Sequence, residues 1–181
     1  WKLDAAVEFI GQIPDGAARL VLAALDGLIE GQRGKAIVPS KPPGELLARL
    51  SKSANAEVAS RARQLGTMWG DATALGTTLK LIENPAASLD QRLEAIQSVK
   101  QQKIDAVREA LVRLLGQPNP ERIGQETLRA LSEIGGDNLP GEIVNRWKQY
   151  TPATQRVAAE VLTSRANWTR AFITSLENKI I

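Results

Sequence analysis

The amino-acid sequence predicts an all-α protein built as a HEAT-like α-α superhelix, which is a solenoid of antiparallel helix pairs. Three observations predict this fold. Apolar residues recur three and four positions apart, the spacing that lines one face of an α-helix. The β-branched and aromatic residues that favour strands are sparse and scattered. Similar helical segments also return at intervals of 28 to 35 residues, which is typical of stacked helix pairs.

Ten helices are predicted, each bounded by residues that can cap a helix start or end a helix. In chain order they cover residues 16–30, 43–50, 54–68, 72–83, 89–100, 105–115, 120–134, 139–150, 152–163 and 168–178. Because the links between them are short, we expect neighbouring helices to run antiparallel.

The predicted helix starts carry side chains that can accept hydrogen bonds from the free N–H groups of a first turn. Ser88 and Gln91 have the spacing of a capping box, and a cap directly precedes proline at Asn119 and at Thr151. Asp71, Asn138 and Asn167 are further predicted caps. Glycine adopts the left-handed conformation that ends many helices, so ends are predicted at Gly31, Gly34, Gly70, Gly116, Gly135 and Gly136.

Residues 34–43 are predicted to form an extended, exposed link, because they contain three prolines and two lysines. Such a link can be a hinge or a long loop between helices. The loop is favoured, since the apolar face formed by Leu46, Leu47 and Leu50 directly afterwards needs the same core to cover it.

Three similar helical segments, residues 92–99, 127–134 and 155–162, each place a small alanine four residues before a larger aliphatic residue. A two-helix unit cannot bury its apolar face alone, so it stacks on its neighbour. We expect Ala59, Ala62, Ala95, Ala130 and Ala158 to let layers approach each other, and Leu65, Val99, Ile134 and Leu162 to fill the seam. An irregular helical bundle is the alternative, because alanine and leucine are common helix formers. Residues 1–181 are predicted to form a single HEAT-like domain, irregular over 1–52 and more regular over 53–181.

The composition excludes several chemistries. The chain has 181 residues with neither cysteine nor histidine, so it offers no thiolate or imidazole for a zinc site, a haem ligand or a histidine-based nucleophile system. Acid–base catalysis could use only carboxylates, lysines or the single Tyr150. The carboxylates of Glu94, Glu109, Glu126 and Glu133 lie on predicted helices among basic residues, without a spacing that forces two acids together. No catalytic, metal-binding or cofactor-binding residue is predicted.

Positive charge is concentrated near the end of the sequence. Residues 143–181 hold six basic and two acidic residues, whereas the rest of the chain is close to neutral. Aromatic residues are interleaved with the cations, as in surfaces that bind acidic partners or a phosphate backbone. Trp147 and Trp168 can equally be packing residues at helix ends. The possible interaction surface consists of Arg146, Lys148, Arg156, Arg165 and Arg170.

Several stretches resemble the helical-repeat segment of the planctomycete-type membrane-bound dehydrogenases, also described as haem-binding proteins. The resemblance covers nearly all of the chain, and the stretches that carry it are residues 25–34, 59–66, 70–71, 92–96, 164–172 and 176–180. In that family a secreted, sugar-dehydrogenase-like β-propeller precedes HEAT-like repeats, and a c-type cytochrome module with a Cys-x-x-Cys-His haem site follows them.

The resemblance implies a non-catalytic scaffold or protein-interaction module within a larger, exported oxidoreductase, in the periplasm or an equivalent compartment. Its partners would be the neighbouring propeller and cytochrome c domains of the same chain, or other proteins. This chain has no Cys-x-x-Cys-His, so haem c would be bound elsewhere in the parent protein. The alternative function is a HEAT-like nucleic-acid-binding module that uses the basic surface near the C-terminal end.

The first residue is Trp1, and no basic head followed by an apolar run marks an export signal, so we expect a segment of a longer chain. The longest apolar stretch, residues 17–29, is interrupted by Arg19, Asp26 and Gly27. No stretch approaches the roughly 18 to 20 apolar residues that a membrane-spanning helix needs. Direct membrane insertion is therefore not expected.

Overall fold

The structure is a computed structural model that describes residues 2–14, 16–32, 37–41 and 43–181. Over these residues it contains α-helices, one 3-10 helix and no strand, which confirms the all-α prediction. The helices are α1 (Lys2–Gln12), α2 (Ala18–Glu30), α3 (Gly44–Ser51), α4 (Ala56–Met68), α5 (Ala72–Glu83), α6 (Leu89–Val99), α7 (Asp105–Leu115), α8 (Glu121–Ile134), α9 (Leu139–Asn145), the 3-10 helix (Trp147–Gln149), α10 (Pro152–Thr163) and α11 (Ala166–Glu177).

The chain forms two compact units, Trp1–Thr78 and Leu79–Ile181. In the first unit, α4 packs against both α2 and α3. The core of this unit is aliphatic apart from Trp69, because the apolar stripes of α2, α3 and α4 face one another. Its buried members are Ile10, Ile13, Val21, Leu25, Leu47, Leu50, Val58, Ala62, Leu65 and Trp69.

In the second unit, α8 is the central helix. It contacts α6, α7 and α10, while α11 contacts α9 and α10. The apolar stripe of α8 is fully enclosed by these neighbours, with Ile123, Leu128 and Leu131 showing no exposed surface. The contacts of α6 with α8 and of α8 with α10 join helices that are separated by one helix in the sequence, and those of α7 with α8 and of α10 with α11 join consecutive helices.

The residues predicted to line the seams are buried. Leu65, Val99, Ile134 and Leu162 are each at most 7% exposed, as expected of residues that fill the space between helices. The alanines at 59, 62, 95, 130 and 158 are also buried. Small side chains at these positions allow helix axes to approach closely.

Several predicted helix boundaries are confirmed. Ser88 and Gln91 form the predicted capping box, and the hydroxyl of Thr151 accepts a hydrogen bond from the N–H of Thr154. The carboxylate of Asp71 accepts one from the N–H of Ala74. Gly31, Gly116 and Gly135 are C-caps, and Gly70, Gly135 and Gly136 have positive φ angles beside helix ends. The left-handed conformation predicted for Gly31 and Gly116 is wrong, because their φ angles are −65° and −86° and both residues are right-handed helical. Gly34 lies outside the described residues.

Other boundary predictions are wrong. The Asn119 amide does not cap α8 but donates to the carbonyls of Leu114 and Gln117. Asn138 is the N-cap residue of α9, as predicted, but its side chain makes no capping hydrogen bond. The predicted cap Asn167 lies inside α11, which begins at Ala166. The predicted helix 139–150 ends at Asn145, because backbone N–H groups there bond three rather than four residues back. The helix α1 is absent from the predicted helices.

Residues 37–41 of the predicted link are described, and none of them is helical, as expected. Ile37 and Val38 are exposed. The backbone N–H of Ser40 is tied back to the carboxylate of Asp4 at 2.8 Å. The remainder of the predicted link up to Pro43, residues 34–36 and 42, lies outside the described residues.

Candidate interaction surface

Three of the five predicted surface cations are exposed and have no ion-pair partner within the described part of the chain. They are Lys148 in the 3-10 helix, Arg156 on α10 and Arg170 on α11. Arg156 lies between the buried residues Thr154 and Val157 of α10 and is itself exposed to solvent. These three side chains are free to contact a partner.

Arg146 is committed to an internal contact. It follows the last residue of α9 and is only 22% exposed. One of its guanidinium nitrogens donates to the Glu142 carbonyl at 2.8 Å and to the Glu142 carboxylate at 2.5 Å. The guanidinium therefore satisfies a carbonyl at the helix end and one charge of its own helix.

Arg165 is also held in place, although its side chain is exposed. Its guanidinium donates to the carbonyl of Ser132 near the end of α8 at 2.7 Å. The same group lies 4.5 Å from the ring centroid of Trp168, in the geometry of a cation–π interaction. Arg165 thus joins α8 to α11, which makes it a packing residue as well as a surface cation.

Tyr150, the one residue of the chain with a titratable phenol, is poorly placed for acid–base chemistry. Burial raises the pKa of Tyr150 to about 12, although the positive charge of Arg146 partly opposes the shift. Its hydroxyl is buried without a hydrogen-bond partner. The phenol is therefore neutral and protonated throughout the physiological pH range.

A groove of about 620 Å³ lies in the second unit, between α7 and the segment that leads into α9. One wall carries Arg108, Glu109, Val112 and Arg113 of α7, and Asp137 and Leu139 belong to the other. Gly136 allows this close arrangement, because a Cβ on its backbone would lie 2.9 Å from the Cδ of Arg108. Sequence reasoning missed this groove, and the Gly135-Gly136 pair was its one visible signal.

Sequence reasoning also missed the buried guanidinium of Arg92. This side chain donates to the Ile82 carbonyl at 2.9 Å and to the Asn119 side-chain oxygen at 2.6 Å. Burial lowers the pKa of Arg92 below its usual value. Arg92 fastens the end of α5 and the loop before α8 to α6, so its role is structural.

The described residues contain neither a candidate metal-binding cluster nor a candidate membrane-spanning helix. No cluster of three or more histidine, cysteine, aspartate or glutamate side chains there could hold a metal ion. Nor does that part of the chain contain a helix with the length and apolar character required to cross a bilayer.

No protein-family model matches the chain, and no curated protein sequence is significantly similar to it.

Proposed function

We propose that the chain is a non-catalytic, HEAT-like helical-repeat scaffold that binds partner proteins. The observation that carries this proposal is that several long-range side-chain contacts within the second unit join residues about one repeat length apart. The pairs Arg113–Glu83 and Thr151–Glu121 are each separated by 30 residues, Gln97–Glu126 by 29 and Arg165–Ser132 by 33. In a helical solenoid each repeat contacts its neighbours at a distance of one repeat.

The helix contacts support the same proposal. The helix α8 lies between α6 and α10, and these three helices begin at residues 89, 121 and 152, close to one repeat length apart. The second helices of the pairs are α7, α9 and α11, of which α9 and α11 contact each other. A stack of helix pairs predicts this pattern of contacts.

The scaffold role is supported by the chemistry of the side chains. The sequence contains no imidazole and no thiol, and Tyr150 stays protonated at neutral pH. The carboxylates of Glu126 and Glu133 are engaged with Arg129 and Lys100. These groups stabilise helix surfaces and are not arranged as an acid–base pair.

The sequence resemblance supports a larger protein as the context of this scaffold. We extend the proposal to an exported, sugar-dehydrogenase-like oxidoreductase, in which the scaffold joins a β-propeller to a cytochrome c domain that carries haem. The support for this context is the set of similar sequence stretches, such as residues 59–66 and 164–172.

The test has two steps. The gene is first read on both sides of this segment, and the flanking modules are then expressed separately and titrated against this chain by calorimetry. We expect a Cys-x-x-Cys-His motif downstream, a propeller upstream and saturable binding of at least one module. A gene without these modules rejects the oxidoreductase context. Flanking modules that are present but do not bind this chain reject the scaffold role.

A nucleic-acid-binding module is the second candidate function, and the free cations Lys148, Arg156 and Arg170 favour it. Fluorescence anisotropy with a labelled DNA duplex, at salt concentrations of about 50 and 200 mM, separates the two candidates. Binding that falls steeply with salt, and that is weakened by Arg156→Gln together with Arg170→Gln, supports nucleic-acid recognition. A duplex that does not bind at the lower salt concentration rejects it.

A further inference from the structure

The charges in the groove between α7 and α9 are unequally compensated. Both arginines of the α7 wall have acidic partners. Arg108 pairs with Asp105, and Arg113 donates to the Glu83 carboxylate at 3.0 and 3.2 Å. On the opposite wall, Glu142 is paired with Arg146. The positive charges that line the groove are therefore already neutralised.

Two acidic side chains of the groove remain without an ion-pair partner among the described residues. They are Glu109 on α7 and Asp137 in the segment before α9, and both are exposed. The uncompensated charge of the groove is thus negative and comes from both walls. This distribution favours a cationic ligand over an anionic one, because three carboxylates face two arginines in the lining.

The groove also offers apolar contact. Val112 of α7 is half-buried and lies one helical turn from Arg108 and Glu109, whereas Leu139 on the other wall is only 2% exposed, so Val112 provides the apolar contact. A volume of about 620 Å³ falls within the usual range of ligand sites, roughly 300 to 1,000 Å³. A segment that places an aliphatic side chain between two cationic ones would match this lining.

We propose that this groove binds an extended peptide segment that carries lysine or arginine side chains on either side of an aliphatic residue. The inference rests on the proposed function, since it names the kind of segment that the scaffold holds. The cationic side chains pair with Glu109 and Asp137, and the aliphatic side chain contacts Val112. The whole chain has a formal charge of +3, so general attraction of basic peptides to the protein is weak and binding depends on this local site.

The test uses the complete 181-residue chain and a fluorescein-labelled nonapeptide that repeats lysine, leucine and glycine. A second nonapeptide has glutamate in place of every lysine. We expect the lysine peptide to bind saturably and the glutamate peptide not to bind. Shifts of amide resonances in the ¹⁵N NMR spectrum should concentrate in α7 and in residues 136–142.

The matched variants carry the same change of charge at different places. Glu109→Gln with Asp137→Asn should weaken binding of the lysine peptide about fivefold, as expected for two exposed ion pairs. The control, Glu160→Gln with Glu177→Gln, alters exposed acids of α10 and α11 and should bind like the unaltered chain. Circular dichroism confirms that each variant is folded, and the NMR map of the unaltered chain tests the site independently of any variant.

Three outcomes overturn this inference. The first is that the lysine peptide does not bind, and the second is that it binds the two double variants with the same affinity. The third is that the glutamate peptide binds more tightly than the lysine peptide. Each of these leaves the scaffold proposal intact if a flanking module still binds the chain. If the flanking modules do not bind the chain but the lysine peptide binds specifically at the groove, the scaffold context is rejected and the groove remains a peptide-binding site.

Discussion

Single polar residues in the interior fasten consecutive helices of this protein to one another. Arg92 is the clearest case, because it is 4% exposed and makes two hydrogen bonds to residues outside its own helix. A buried guanidinium is costly to desolvate, and its donors must be satisfied. Its two acceptors, the Ile82 carbonyl and the Asn119 side chain, provide this compensation.

Replacement of Arg92 by methionine should lower the free energy of unfolding by about 2 kcal/mol, since two acceptors of a charged donor lose their partner. Urea denaturation followed by circular dichroism measures this change. Arg122→Met is the matched control, because Arg122 is exposed on α8, and its effect should stay within about 0.5 kcal/mol. Equal stability of the two variants would show that the Arg92 contacts contribute nothing net.

The buried hydroxyl of Tyr150 differs from the Arg92 guanidinium, because it has no hydrogen-bond partner that compensates the loss of its hydration. Tyr150→Phe should therefore leave the protein as stable at pH 7 or more stable by about 1 kcal/mol. A clear loss of stability in this variant would mean that the hydroxyl is satisfied in solution.

The raised pKa of Tyr150 also predicts a dependence of stability on pH. An unfolded tyrosine ionises near its ordinary value of 10.0, whereas the folded residue ionises at about 12. The folded state therefore binds the proton more tightly, and this contribution is complete below pH 10 and is lost as the pH rises towards 12. Denaturation curves measured between pH 10 and pH 12 should show a decline in the free energy of unfolding of the unaltered chain and a smaller decline for Tyr150→Phe. Parallel curves would contradict the shift.

At the scale of the helix, periodicity predicts where helices exist better than where they end. The helix α8 was predicted because apolar residues recur along one face and Gly135 follows. Its start was misplaced onto Asn119, whose side chain is recruited by Arg92 and by nearby carbonyls. Such competition between local capping and a contact 27 residues away depends on the tertiary structure. It could not be read from the sequence.

Substitution of alanine for a glycine within α8 and for the glycine that follows α8 should change the stability of the protein in opposite directions. Gly135 has φ 81° and ψ −172°, a region that is nearly restricted to glycine, so Gly135→Ala should destabilise the protein by about 1 to 3 kcal/mol. Gly124 lies within α8 and has open space where a Cβ would stand. Gly124→Ala should therefore stabilise by about 0.5 to 1 kcal/mol. Thermal unfolding of both variants checks the sign, and shifts in the same direction would refute the argument.

At the scale of the whole molecule, the seam residues were predictable and the groove was not. Burial of Ala130 and Ile134 follows from helical periodicity, since both lie on the apolar face of α8. The charge of the groove instead depends on which acid each arginine contacts. The partner of Arg113 is Glu83, 30 residues away, and not the nearer Glu109. Only the packing of the helices determines that choice.

A solenoid and an irregular bundle respond differently to a local defect in the second unit. Ala158 of α10 is fully buried, so Ala158→Leu should overpack its surroundings and cost about 1 to 3 kcal/mol. If each helix pair is stabilised mainly by its neighbours, hydrogen exchange should speed up in α10, in α11 and in the adjoining α8, while α6 keeps its protection. Ala166→Leu, at an exposed position of α11, is the control and should leave the exchange pattern unchanged. Uniform loss of protection over residues 79–181 would instead indicate one cooperative core, and the stacked-pair architecture would have to be abandoned.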